Sequence, residues 1–291
     1  MQRLTDVRAV EEGRCDSLAP PGIGAVSATL FARVTLRVRL EVILGRSGRV
    51  IHCETINEVR RLFSRQSVTT LYFEQADDRE TVTTDLIREV RDAFPSTVII
   101  ACSSGRAPSL ATVLEMVRSG IDDLLSTDDI ERGHTVRRAL LVAHQRSMVR
   151  VVWPKLAIHF SPIVATVMRY VLERADGPLT LGSVSAALGR NRKTLWTQCQ
   201  SDGLPAPSTL IGWCRVLAAS HALDTPSRTV DSIAYELQFA SPSGLRNMLV
   251  RFLNVTPTEL RRRGATDYAV QRLTEVIRLS RLRHAAAKST E

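Results

Sequence analysis

The sequence is poor in the residues that build disulfide frameworks and zinc sites. It has five cysteines among 291 residues, and none of them lies in a C-x-x-C pair. This odd number and spacing predict neither a disulfide framework nor a structural zinc site, and they fit a reducing cytoplasm. Cys199 and Cys214 fall in helical segments, where we expect buried thiols that pack as small hydrophobic groups.

Long apolar runs and catalytic motifs are also lacking. The densest apolar stretch, 31–44, is interrupted by three arginines and is shorter than the roughly 18 residues that span a bilayer. No apolar segment follows Met1, so we expect no secretory signal. The six histidines lack ligand spacing, and neither a phosphate-binding G-x-x-x-x-G-K-S/T loop nor a catalytic triad has a motif around it. We therefore expect no enzyme, no cofactor and no metal site.

Positive charge is abundant, and it is unevenly placed. The formal net charge is +9. Residues 1–150 carry 21 basic and 20 acidic residues, whereas residues 151–291 carry 18 and 10. A basic half beside a nearly neutral half predicts that the C-terminal half binds a polyanion.

The first half alternates predicted strands with amphipathic helices of 9–13 residues. Such alternation predicts a parallel sheet in an α/β domain. The predicted strands are 35–44, Arg49–Cys53, 68–73, 97–101 and 124–125, with a turn at 45–48. The predicted helices are 57–65, 84–94, 110–118 and 136–148.

Two stretches of the second half repeat one pattern about fifty residues apart, 184–195 and 233–245. Each contains a short apolar helix, a break, a capping residue and a second helix. This is the layout of a helix-turn-helix, whose second helix enters the major groove of DNA. Two units on one chain can reach major-groove segments roughly 34 Å apart without dimerisation.

The second helix of each unit has a predicted cap and a predicted inner face. Asn191 caps the first, and Ser241 followed by Pro242 opens the second. The predicted inward residues are Leu195, Cys199, Leu245, Met248, Leu249 and Phe252. The remaining face of each helix is polar and basic.

The stretch 151–264 resembles the DNA-binding domain of the AraC/XylS transcription regulators. The start of that family's long central helix is matched by Pro207, Leu210, Ile211 and Arg215. Its second helix-turn-helix signature is matched by Ile233, Ala234, Phe239, Ser241, Leu245, 255–257 and Arg261. Gln238 and Asn254 stand where the family has glycine, and Leu245 replaces a phenylalanine. If φ of Gln238 is positive, its turn carries strain.

The resemblance implies an all-α domain with two helix-turn-helix units that binds double-stranded DNA and works with RNA polymerase. It places base-reading positions at Lys193, Trp196, Thr197, Ser243, Arg246 and Asn247. Further DNA contacts are expected from Arg192, Arg251 and Arg262. Trp196 could instead pack against the neighbouring helix, and the cluster 261–263 could be ordinary soluble surface.

The region 50–144 resembles the receiver domain of response regulators, which has a flavodoxin-like α/β fold. The segments 71–74, 98–103 and 119–125 carry the resemblance. The phosphorylation chemistry is not matched: Glu74 stands at the acceptor aspartate, Thr127 at the lysine and Cys102 at the hydroxyl. The stretch 42–45, at the end of the predicted first strand, offers no acidic pair for Mg²⁺.

These differences predict a pseudo-receiver that does not accept phosphate, with Glu74 a structural or solvent-facing carboxylate. Asp77 or Asp78 as a displaced acceptor stays open. The domain is expected to serve dimerisation or partner contact through 110–148. The alternatives are a phosphorylated response regulator and an interaction protein that sequesters another regulator.

Five segments are expected along the chain. They are a mobile tail (1–33), the receiver-like domain (34–148), a linker (149–160), the double helix-turn-helix domain (161–265) and a basic helical tail (266–291).

Overall fold

The computed structural model describes residues 26–44, 48–75, 80–103, 108–225 and 228–288. The strands are β1 (Val26–Leu30), β2 (Arg49–Cys53), β3 (Thr70–Gln75), β4 (Val98–Ser103) and β5 (Asp123–Ser126). The helices of the first half are α1 (Val34–Leu44), α2 (Ile56–Arg65), α3 (Glu80–Ala93), α4 (Leu110–Ser119), α5 (Thr127–Glu131) and α6 (Gly133–Leu156). Those of the second half are α7 (Pro162–Leu172), α8 (Leu181–Ala187), α9 (Arg192–Ser201), α10 (Pro207–Leu223), α11 (Val230–Glu236), α12 (Pro242–Leu253), α13 (Pro257–Arg262) and α14 (Ala265–Lys288).

The five strands form one parallel sheet in the order β2-β1-β3-β4-β5. This is the doubly wound, flavodoxin-like order, which confirms the predicted α/β fold class. Successive side chains of β3 point to opposite faces: Tyr72 contributes to a core beneath α1 and α6. Leu71 and Phe73 contribute to a second core beneath α2, α3 and α4.

The first strand does not lie where the sequence pattern predicted it. The stretch 35–44 is helix α1, whose buried residues Leu36, Leu40 and Leu44 recur every fourth position. The sequence suggested a strand because the exposed valines and these buried leucines together alternate with polar residues. The true first strand, β1, lies within the predicted mobile tail 1–33, and it is held by pairing with both β2 and β3.

Most of the predicted linker 149–160 is helical, because α6 runs on to Leu156 and a 3₁₀ turn, Ala157–His159, follows it. The first half of α6 contributes Val136 and Ala139 to the core under the sheet. Its last turns contribute Val152 and Leu156 to the core of the helical half. A continuous helix forms here because each stretch of it buries an apolar face against a different core.

The helical half is built around α10, most of whose residues are buried. Helix α14 packs along α10 and buries Ala269, Leu273 and Ile277. The segment 266–288 is helical, as predicted, but it packs into the core of the helical half and does not extend from it as a tail. No helix among the described residues is both long and apolar enough to cross a membrane.

A buried carboxylate joins α6 to the sheet. The side chain of Asp122, just before β5, binds Arg91 of α3 at 2.8 Å and Arg150 of α6 at 2.7 Å. It also accepts a hydrogen bond from the backbone N–H of Ile99 at 2.8 Å. Arg146 of α6 donates to the backbone carbonyl of Asp122 at 2.9 Å. These contacts fix the middle of α6 against the start of β4 and β5.

Two histidines lie on helices that pack together between the two halves, His144 on α6 and His221 on α10. Burial, together with the positive charge of Arg228, lowers the pKa of His144 to about 3. The same two causes, in the same order, lower the pKa of His221 to about 4. Both rings are therefore neutral in the folded protein at neutral pH.

We expect the protein to lose stability as the pH falls below about 6.5, the pKa of histidine in an unfolded chain. Below that value the unfolded state binds more protons than the folded state, so each ring costs up to about 1.4 kcal/mol per pH unit. Urea unfolding at pH 7.5 and 5.5 measures the difference. The variant His144→Gln/His221→Gln should flatten it, and an equally steep dependence in that variant would contradict the assignment.

Candidate nucleic-acid interface

The first helix-turn-helix consists of α8, a turn and α9. Gly189 in the turn has a φ of +59°, which glycine adopts without steric cost. Asn191 then caps α9, as predicted: its side-chain oxygen accepts a hydrogen bond from the backbone N–H of Lys193 at 2.8 Å. The cap sets the start of α9 and therefore which of its side chains face outward.

Helix α9 has the predicted two faces. Leu195 and Cys199 are buried, and burial raises the pKa of Cys199 to about 11, so its thiol stays protonated. Trp196 is 49% exposed and is not a member of the buried core. The other predicted DNA-contacting side chains of this helix, Arg192, Lys193 and Thr197, are also exposed.

The second helix-turn-helix consists of α11, a turn and α12. Ser241 caps α12 by accepting a hydrogen bond from the backbone N–H of Gly244 at 3.1 Å, and Pro242 follows at the first helical position. Gln238 in the turn has a φ of +51°. A side chain in this left-handed region costs about 1–2 kcal/mol, so the suspected strain is present. Asn254 ends α12 with a φ of +57°, a conformation that asparagine tolerates better than most residues.

A close helix contact seats α12 on the central helix α10. Phe252 lies against Gly212, where an added Cβ would stand 2.7 Å from its Cζ. The ring of Phe252 also meets that of Trp213 edge to face, with centroids 5.2 Å apart. Only glycine allows this approach, which positions α12 and with it the outer face of the second unit.

The outer face of α12 carries the predicted residues Ser243, Arg246, Asn247 and Arg251, all exposed. Arg246 binds Asp231 of α11 at 2.9 Å, with both side chains largely exposed. This ion pair was not foreseen, because no sequence pattern links the two helices at that position. It holds the guanidinium of Arg246 beside Asp231, at the junction of α12 with α11.

The arginine cluster 261–263 is not one surface. Arg261 is partly buried and donates a hydrogen bond to the backbone carbonyl of Arg228, and burial lowers its pKa. Arg262 and Arg263 are exposed, and both pair with Glu259. Arg262 keeps 72% of its side chain exposed despite its pair with Glu259, whereas Arg261 is engaged within the fold.

Arg215 has a structural role that the sequence did not reveal. Its guanidinium lies 4.1 Å from the ring centroid of Phe239 and donates to the backbone carbonyl of Leu237 at 2.6 Å. It therefore braces the strained turn before α12. The resemblance singled out Arg215 and Phe239, but only the fold shows that they touch.

At the carboxyl edge of the sheet, Glu74 is enclosed by the chain that follows β1. Its side chain is 5% exposed, and its Oε1 lies 3.3 Å from Nε of Arg33. Its Oε2 accepts hydrogen bonds from the backbone N–H groups of Ala32 and Arg33, both at 3.0 Å. Because β1 ends at Leu30, these two residues, and not 42–45, follow the first strand.

The other receiver positions are also occupied by structural contacts. Cys102 is fully buried, which raises the pKa of its thiol. The hydroxyl of Thr127 donates to the backbone carbonyl of Ser103 at 3.2 Å. Asp77 and Asp78 lie outside the described residues. Within the described part of the chain, no group of three acidic, histidine or cysteine side chains is arranged to hold a metal ion.

Comparison with known proteins assigns the helical half. Residues 184–263 match the family model described as "Helix-turn-helix domain". This range begins within α8 and ends just after α13, so it covers all of the first helix-turn-helix unit except the first three residues of α8, and the whole of the second. No curated protein matches the sequence.

Solved structures similar to the chain include receiver proteins. A CheY-like protein (tadZ) from Pseudomonas aeruginosa PAO1 is 18% identical with a TM-score of 0.34, over 40% of this chain and 98% of that one. A response regulator from Thermotoga maritima is 17% identical with a TM-score of 0.34, over 40% and 98%. RcsB from Salmonella enterica serovar Typhimurium, bound to promoter rprA, is 15% identical with a TM-score of 0.33, over 65% and 98%.

At TM-scores this low, these matches add no argument, and the strand order alone defines the N-terminal fold. Residues 184–263 are a helix-turn-helix domain of the AraC type, and the chain is a DNA-binding regulator with a receiver-like α/β domain.

Proposed function

We propose that the chain regulates transcription by binding a specific DNA sequence. We also propose that its receiver-like domain works without being phosphorylated. One observation supports the first part most strongly: both second helices of the helix-turn-helix units, α9 and α12, are capped and present polar faces to solvent. All nine predicted DNA-contacting residues are exposed, namely Arg192, Lys193, Trp196, Thr197, Ser243, Arg246, Asn247, Arg251 and Arg262.

In this proposal, side chains at the surface divide into two kinds of contact. Asn247 reads a base, because an asparagine amide can pair with N6 and N7 of adenine in the major groove. Arg262 contacts a phosphate, because its place near the end of α13 is outside the two recognition helices. Base contacts specify a sequence, whereas phosphate contacts strengthen binding to every sequence alike.

The second part of the proposal is supported by the contacts of Glu74. A phosphoacceptor needs acidic neighbours for Mg²⁺ and a nearby lysine. Glu74 has Ala32 and Arg33 as its neighbours, and Thr127 stands at the lysine position. In this proposal the receiver-like domain binds a partner, either RNA polymerase or a second copy of the chain. The region 110–148 supplies exposed apolar residues for this on α4, namely Leu110, Leu114 and Val117.

The full chain should bind duplex DNA with an affinity that falls steeply as salt rises, by a log–log slope of about −0.9 per phosphate contact. The full chain is the right material, because a fragment beginning at residue 151 would cut α6 where it enters the helical core. A gel-shift titration measures the slope. If the chain fails to bind DNA even at low ionic strength, the alternative function is favoured, in which it sequesters another regulator.

On a duplex that the unaltered chain binds specifically, Asn247→Ala should relax the preference at one base position, a loss of about 1–3 kcal/mol of discrimination. Arg262→Ala should weaken binding to all DNA sequences alike and reduce the salt slope by about 1. Competition over single-base variants of the site separates the two effects. Full base preference in the Asn247→Ala protein would show that α12 docks in another register.

Acetyl phosphate with Mg²⁺ should leave the protein unmodified by intact mass spectrometry. The variant Glu74→Asp should also stay unmodified, because the aspartate would still lack an acidic pair and a lysine. Gain of one phosphoryl group by the unaltered chain would contradict the proposal. If Asp77→Asn or Asp78→Asn then lost that phosphoryl group, the substituted aspartate would be the displaced acceptor.

A further inference from the structure

Helix α1 buries one face and presents a row of valines on the other. Leu36, Leu40 and Leu44 pack in the core, whereas Val34, Val38 and Val42 are 60%, 48% and 73% exposed. The spacing of four residues keeps the three valines in one row along the helix. Covering this apolar row with a second surface would remove it from water, which favours association.

Charged residues border this row in a pattern that fits a second copy of the same helix. Arg37 and Glu41 each follow a valine of the row by three residues, so they lie along the same border. Among the described residues, neither of them takes part in an ion pair within 4.0 Å. On the opposite border, Arg39 is already bound to Glu131 of α5 at 3.3 Å.

A two-fold axis near Val38 satisfies both the apolar and the charged pattern. Two α1 helices packed antiparallel across that axis bring Val34 of one copy to Val42 of the other. The same packing brings Arg37 of each copy beside Glu41 of the other, which gives two ion pairs across the border. A two-fold interface requires a self-complementary surface, and this spacing supplies one.

We propose that α1 is a self-association surface, through which two copies of the chain pair antiparallel about a two-fold axis. This goes beyond the proposed function and relocates self-association from the region 110–148 to α1. Beside the apolar row on α4, the acidic residue Glu115 lies 3.9 Å from Arg88 of α3 in the same chain and is already engaged there. We therefore assign the α4 row to a different partner.

Sedimentation of the full chain over a range of concentrations tests this proposal through a charge swap. We expect a monomer–dimer equilibrium. Arg37→Glu and Glu41→Arg should each raise the dimer dissociation constant roughly tenfold, because both ion pairs become repulsions. The double variant Arg37→Glu/Glu41→Arg should restore the original dissociation constant, since opposite charges again face each other.

Matched variants separate a loss of pairing from a loss of folding. Val42→Glu, at the most exposed valine, should give a folded monomer by circular dichroism. Arg65→Glu, on the exposed surface of α2 across the sheet, should leave the dimer unchanged. The proposal is overturned by a chain that is monomeric at every concentration or by a charge swap that fails to restore pairing. It is also overturned if Leu114→Glu, and not Val42→Glu, abolishes the dimer.

Discussion

The structure depends on one helix that belongs to two cores. Helix α6 begins beneath the sheet and ends inside the helical half, and the ion pair of Asp122 with Arg150 fixes its middle. Removing one partner of such a buried pair typically costs about 3–5 kcal/mol, because the other charge is left without compensation. The two halves are therefore joined by a rigid element, and the position of α9 and α12 relative to the sheet follows from how α6 is held.

The charged residues fall into two groups: some are buried and hold the fold together, and others remain at the surface, where they can bind a partner. Asp122 and Glu74 are almost fully buried and satisfied by arginines and backbone N–H groups. These contacts of the two carboxylates lie within the fold, where they tie β1, β3 and β5 to their neighbours. In the helical half, Arg261 is engaged inside the domain, whereas the basic groups of α9 and α12 stay at the surface. The excess positive charge of that half can therefore act on DNA.

Local signals predicted the helical half better than the sheet. Asn191 and Ser241 cap α9 and α12 as expected, because capping depends on neighbouring residues. Helix α1 was predicted as a strand because its valines and leucines together fall at every second residue, the spacing of a strand. The leucines alone recur at every fourth residue, the spacing of a helix. Strand β1 was missed because its small residues gain strand structure only from pairing on both sides. The Arg246–Asp231 pair joins two helices and could not be read from spacing along the chain.

We propose that one chain reads DNA with two recognition helices, and hydroxyl-radical footprinting on a specifically bound duplex tests this most directly. We expect two protected segments on one face of the duplex, about one helical turn apart. Lys193→Ala in α9 should weaken protection of one segment, and Asn247→Ala in α12 should weaken that of the other. A single protected segment that responds to both substitutions would contradict the account.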